Sequence, residues 1–137
     1  MADKPTLAYW NFRGVGNPVR ILLAHLEVDF EDKRYDIANR ESWDGEKETL
    51  SLRFPNIPYF IDGDFRISEC QAVMQYICAK YRREYLGRTL EEQARAWEVS
   101  SFFDDNLWKV FAKFFAMTEE TKEETLNAIR AVLTRFQ

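Results

Sequence analysis

The stretch of this 137-residue chain with the clearest chemical content is Ser68-Glu69-Cys70-Gln71, which follows the short strand-like run Phe65-Arg66-Ile67. Ser68 and Gln71 have the spacing of a capping box, in which hydroxyl and amide satisfy free backbone groups at a helix start. A helix N-terminus beside a strand end is a place where an anion can be held. Cys70 falls in that first turn, either as a thiol whose pKa the helix terminus lowers or as a buried, inert cysteine. Upstream, Trp43 and Lys47 are four residues apart and share one face of any helix that contains them. Read singly, Lys47 is a solvated charge and Tyr9 an aromatic at a strand end. His25 is the only histidine and has no serine or cysteine constellation to serve, so it reads as structural. No acid–base dyad, phosphate-cradling loop or metal-ligand set is evident. Cys70 and Cys78 lie more than two turns apart on one predicted helix, which excludes a disulfide between them while that helix persists.

The elements that must position these residues follow from patterning. Asp62-Gly63 between two short apolar runs is a strong hairpin signal, predicting antiparallel strands at Pro58-Tyr59-Phe60-Ile61 and Phe65-Arg66-Ile67. Pro58 cannot donate to a ladder, so it opens its strand and is a candidate cis bond. Thr6-Leu7-Ala8-Tyr9-Trp10 reads as a first strand. Val19, Leu22, Leu23 and Leu26 predict a helix over about 15–26, and a second strand is expected over 28–36. Residues 42–50 read as a short exposed helix or loop, oddly carrying Trp43. A helix over 69–81 presents Ala72, Val73, Tyr76, Ile77 and Lys80 on one face. Arg82 to Gly87 reads as a linker. Thr89-Leu90-Glu91-Glu92 is a second capping box opening a long helix to Met117, rich in aromatics at Phe102, Phe103, Trp108, Phe111, Phe114 and Phe115. Thr118-Glu119-Glu120-Thr121 caps a last helix with a stripe of Leu126, Ile129, Leu133 and Phe136. This is a thioredoxin-like α/β order over 1–82, a linker at 83–88 and a short all-α region at 89–137.

Strand, candidate cis-proline, hairpin and helix start, preceded by Tyr9-Trp10-Asn11 and Arg13-Gly14, resemble the glutathione transferases, nearest the mu class. The run Leu52-Arg53-Phe54-Pro55-Asn56-Ile57-Pro58-Tyr59 with Ile61-Asp62-Gly63 is similar to that class almost residue for residue. The resemblance spans about Leu7 to Asp105. It implies that Tyr9 is the catalytic residue, its hydroxyl donating to the glutathione sulfur. It further implies that Trp10, Arg40, Trp43 and Lys47 hold the glycine carboxylate, two cations suiting one carboxylate. Asn56, Ile57 and Pro58 would meet the tripeptide backbone, Ile57 through its main-chain amide and carbonyl. Glu69 and Cys70 would face the γ-glutamyl end, with Asp105 supplied from a partner subunit. Trp108, Phe111 and Phe115 would line the side of the apolar electrophile, and Phe54 would plug a pocket of the other subunit in a dimer.

Departures from the family pattern carry their own implications. Cys70 stands where the family has a serine, and a thiol is a weak donor. Phe115 replaces a tyrosine, which keeps an apolar wall and removes an acid. Gln75 and Ala79 stand in place of interface arginines, and Trp97 and Ser100 in place of the facing acids, so an ion-pair network becomes a neutral surface. The resemblance also implies further helices beyond the two supplied by this chain. Six aromatics, each burying about 150–250 Å² when covered, would leave roughly 450–750 Å² bare at half coverage, more than soluble monomers usually expose. A second copy or a heterologous protein covering the aromatic helix 102–115 is expected to cover them, or the helices rearrange.

Composition is compatible. Hydrophobic residues make up 46% and aromatics 15%, ample for a packed core. A net charge of −4 offers no electrostatic footprint for nucleic acid. No membrane-spanning run, signal peptide or transit peptide is seen, so a cytoplasmic location is expected. No metal is expected, and glutathione is the implied ligand. Two functions follow: a glutathione transferase conjugating the thiolate to apolar electrophiles, or a non-catalytic, transferase-derived subunit docked in a larger complex.

Overall fold

The computed structural model describes residues 4–136, apart from the side chains of Leu107, Trp108, Phe111 and Phe136. Contacts divide the chain into two compact units, residues 1–86 and 87–137.

The first unit is built on β1 (Thr6–Trp10), which pairs in parallel with β2 (Glu31–Tyr35) and antiparallel with β3 (Tyr59–Asp62). β4 (Phe65–Ser68) completes a four-stranded sheet in the order β2-β1-β3-β4. β1 is central and apolar because both of its faces are covered, whereas the edge strand β2 carries Glu31-Asp32-Lys33-Arg34, charges that discourage pairing with another chain. Leu7 and its partner Phe60 join Val19 and Leu23 of α1 (Asn17–His25) and Val73 and Ile77 of α3 (Cys70–Tyr81) in one core. Ala8 and its partner Tyr59 lie in a second core with Tyr35, Leu52, Ile57 and Trp43 of α2 (Glu41–Glu46). The Ile57–Pro58 peptide is cis.

Several boundaries differ from the sequence expectation, each for a local reason. Gly14 has φ +38°, so residues 14–16 form a 3₁₀ turn and α1 begins only at Asn17, with Pro18 in the first turn where its missing N–H costs nothing. Glu27 takes a left-handed φ of +54°. Its amide donates to the Ala24 carbonyl (3.1 Å) and that of Val28 to Leu23 (3.0 Å), a Schellman closure. Val28 is thus spent on ending the helix, and β2 starts three residues later. In the hairpin Asp62 pairs with Phe65, so the turn is Gly63-Asp64, one residue on from the expected pair, with Gly63 at φ +59° as a primed turn requires.

The capping box at Ser68 does not form. The Ser68 hydroxyl donates to the Phe54 carbonyl (2.5 Å), and Glu69 stands at the helix N-cap with φ +74° and no side-chain cap bond. The expected linker is partly ordered: Arg83–Leu86 form a 3₁₀ turn, and the Tyr85 hydroxyl lies 2.8 Å from His25 Nε2 with the rings stacked.

The second unit is helical. Thr89 accepts from the Glu92 amide (3.2 Å) at the start of α4 (Leu90–Phe102), while Glu92 Oε2 accepts from Arg88 N (2.6 Å), one residue ahead of the N-cap amide that a full capping box would engage. The expected single long helix is interrupted by a π-helical segment, Phe103–Leu107, before α5 (Trp108–Phe115). Asn106 Nδ2 donates to the Phe102 carbonyl (2.9 Å), inserting a side chain into the ladder where the helix widens. In α6 (Lys122–Leu133) Thr125 is buried, Leu126 and Ile129 of the expected stripe are half-buried, and Leu133 is exposed. Thr121 at its N-cap makes no side-chain cap bond.

Candidate functional site

The end of β1 and the loop after it build the centre of the site. Tyr9 is buried, and its hydroxyl accepts from the Val15 amide (3.3 Å). That bond uses a lone pair and leaves the phenolic proton without a protein acceptor among the described residues. Burial raises the Tyr9 pKa above its usual value, partly offset by the Val15 N–H, so the group stays a neutral donor. Gly14 and Gly16 allow this packing: a Cβ at Gly14 would lie 2.6 Å from the Tyr9 hydroxyl, and one at Gly16 2.4 Å from the ring. Arg20 fixes the loop. Its Nε contacts Asp32 (3.0 and 3.2 Å), while Nη1 and Nη2 donate to the carbonyls of Phe12 (3.0 Å) and Trp10 (3.3 Å). Cys70, half-buried, donates through Sγ to the carbonyl of the same Val15 (3.1 Å). Strand end, loop and helix start therefore meet at one backbone unit. Cys70 and the buried Cys78 are not joined in a disulfide, and burial pushes the Cys78 pKa up.

On the α2 side, the structure brings Arg40, Trp10, Trp43 and Lys47 into one neighbourhood. Arg40 is the N-cap of α2 and its guanidinium lies 5.4 Å from the Trp10 ring centre. Trp43, expected on an exposed segment, is instead buried, stacked on Tyr59 and edge-on to Tyr35. An aromatic on the inner side of a surface helix explains why so polar a segment carries it. Lys47, the C-cap, pairs with Asp44 (2.9 Å), whose carboxyl is held below its usual pKa chiefly by that bond.

Around the cis-proline, Asn56 Nδ2 donates to Glu69 (2.9 Å), and Asn56 Oδ1 accepts from the Ile57 amide (2.9 Å). The Ile57 amide, expected to meet a tripeptide backbone, is thus already bonded. Glu69 is exposed and holds its positive φ beside this cluster, and such backbone strain in a non-glycine residue tends to gather at functional sites. Phe54 is 62% exposed, with the Arg53 guanidinium 5.6 Å from its ring centre.

Asp105, Trp108, Phe111 and Phe115 belong to the second unit. Asp105 lies in the π-helical segment and is exposed, and Phe115 is 84% exposed. The side chains of Trp108 and Phe111 lie outside the described residues. Among the described residues no group of three or more His, Cys, Asp or Glu side chains could hold a metal ion. No described helix is long and apolar enough to cross a membrane.

Sequence reasoning did not single out Val15, Arg20, Glu46 of α2, or the side chains under that helix, namely Lys33, Tyr35 and Tyr59. Val15 acts through its backbone, which no side-chain pattern reveals. The close spacing of Gly14 and Gly16 was the available signal for tight packing at that loop.

The family model for the glutathione S-transferase N-terminal domain matches residues 5–79. The chain is 40% identical over 134 residues to the class-mu 26 kDa isozyme of Schistosoma mansoni, covering 97% of this chain and 61% of that protein. It is 48% identical over 85 residues to a glutathione S-transferase of Tyrophagus putrescentiae, covering 60% of this chain and 39% of that one. Among solved structures, the glutathione S-transferase Blo t 8 is similar at a TM-score of 0.77 and 33% identity, over 93% of this chain and 58% of that chain. The parallel β1–β2 pair, the antiparallel hairpin and the Tyr9 loop are thus the N-terminal half of a known architecture, and the chain belongs to the glutathione S-transferase family. Within it, the chain is mu-class-like. It spans 39% and 61% of the length of the two curated relatives just named.

Proposed function

We propose that this chain binds glutathione at the Tyr9 site and conjugates its thiolate to apolar electrophiles. The observation that carries the reading is the Tyr9 hydroxyl, which accepts from Val15 N–H and keeps its proton for an incoming sulfur. A buried phenol kept neutral is a competent donor to a thiolate, and such a bond favours the ionised form that attacks. Arg40 and Lys47 supply positive charge for the glycine carboxylate, with Trp10 and Trp43 beside them. Asn56, Ile57 and Pro58 border the peptide backbone, and Glu69 pairs with the γ-glutamyl ammonium. The amides at the start of α3 receive the γ-glutamyl carboxylate, with Cys70 a weaker donor than a hydroxyl. Asp105 from a second subunit completes that end, and Trp108, Phe111 and Phe115 form the electrophile side. We place the protein in the cytoplasm, as a dimer.

A second reading is favoured by the exposure of Phe114 and Phe115 on α5: the chain is a non-catalytic subunit whose aromatic helix is covered by another protein. Calorimetric titration with glutathione separates the two. Saturable binding, weakened several-fold in Lys47→Ala, supports the transferase reading. No binding by folded protein removes it and leaves the second.

A further inference from the structure

All the residues assigned to the glycine end of the ligand, apart from Trp10, ride on one short helix, and what holds that helix is a chain of polar groups beneath it. α2 has six residues, too few to persist by itself, and Gly45 in its interior lowers its intrinsic stability further. A Cβ at Gly45 would meet nothing, so packing does not explain the glycine. Arg40 stands at the N-cap, Trp43 inside and Lys47 at the C-cap.

Two tyrosines of the sheet grip α2 twice. Tyr59 and Tyr35 both pack on the Trp43 ring, with ring centres 6.0 and 5.4 Å from it and 6.5 Å from each other. Their hydroxyls lie 2.9 Å apart, and Tyr35 Oη donates to Glu46 Oε2 at 2.9 Å. Lys33 Nζ pairs with the other carboxylate oxygen, Glu46 Oε1. An ionised carboxylate only accepts, so the Tyr35 proton goes to Glu46 and the Tyr59 proton must go to Tyr35. The result is a one-directional relay, Tyr59 to Tyr35 to Glu46, closed by Lys33. It ties the last turn of α2 to β2 and β3 and sets the rotation of the helix about the Trp43 anchor.

We infer that Glu46 and Tyr35 are positioning residues for glutathione recognition: through α2 they aim Arg40, Trp43 and Lys47 at the glycine carboxylate without touching the ligand. The inference rests on the glutathione reading proposed above. It predicts a selective defect. A loosened α2 costs the ligand its glycine contacts and leaves the γ-glutamyl and thiol contacts, which come from the Tyr9 loop, residues 56–58 and α3.

The test compares glutathione with γ-glutamylcysteine, which lacks only the glycine, by calorimetry on the whole chain. Tyr35→Phe keeps the ring against Trp43 and breaks the relay. Glu46→Ala removes its acceptor, and alanine is the better helix former, so helix propensity is not the cause of any loss. Circular dichroism and thermal melts on each variant verify the fold. Both variants are expected to bind glutathione about tenfold more weakly, while γ-glutamylcysteine stays within about twofold of wild type. Unchanged glutathione affinity in both folded variants overturns the inference, and so does an equal loss for both ligands, which marks general damage to the site. A wild type that binds neither ligand fails at an earlier step, overturning the glutathione reading and this inference together.

Discussion

At the scale of single residues, Tyr9 shows how much depends on a neighbour's main chain. Its hydroxyl is oriented by the Val15 amide and its ring is seated on Gly14 and Gly16. Tyr9→Phe keeps that ring packing and removes the hydroxyl, both the donor to sulfur and the acceptor of the Val15 N–H. A hydrogen bond to a charged partner contributes about 1.5–3 kcal/mol, or about one to two units of thiol pKa at about 1.36 kcal/mol per unit. The thiol of bound glutathione is therefore expected to titrate about one to two units higher in Tyr9→Phe, followed by thiolate absorbance as pH is raised. An unchanged pKa assigns thiolate stabilisation to another group. The place of Tyr9 near the end of the first strand was legible from the apolar run that carries it. Val15 was not, since every residue but proline has an N–H and only the folded loop says which one arrives.

At the scale of elements, α2 makes the acid limb of stability a test of its anchoring. Glu46 is held below the usual 4.5 first by its bond to Lys33, with Tyr35 adding to it, against the opposing effect of burial. A carboxylate whose pKa is depressed on folding contributes stability that is fully present above its unfolded pKa and is lost as pH falls through the folded value. The urea midpoint of wild type should therefore exceed that of Glu46→Gln near neutrality, and the gap should close as pH drops below 4.5. A gap that persists unchanged at lower pH would show that ionisation of Glu46 is not its source. The elements themselves were largely readable: patterning and the turn signal located the four strands, α1 and α3, while residues 42–50 read as a short helix or loop. Their ends were less so, because they are decided by competition among backbone groups. Ser68 had two uses for its hydroxyl and bonded Phe54 rather than the helix start. Glu27 accepted a left-handed backbone so that two helix carbonyls could be satisfied, and no residue type announced it, since glycine is usual there.

At the scale of the whole molecule, the dimer proposal centres on Phe54. Its exposure of 62% is more than so large an aromatic keeps when it has a pocket to enter. The chain is expected to sediment as a dimer at micromolar concentration, and Phe54→Ala to shift it toward monomer. A wild-type monomer across that range removes Phe54 from any self-contact. The second unit was the less legible part, because a helical pattern in sequence carries no mark of a widened turn. That turn has a consequence for reading α4 and α5. Each α-helical residue advances about 100° around the axis, so one surplus residue in a turn sets everything after it out of phase by about that angle. Val99 and Phe102 before the segment, and Phe114 and Phe115 after it, cannot be drawn on a single helical wheel. The segment 103–107 acts as a phase shifter: every residue after it sits about 100° behind the bearing that an unbroken α-helical count would give it, and deleting one residue there would restore the count and leave the aromatic run facing as it does now.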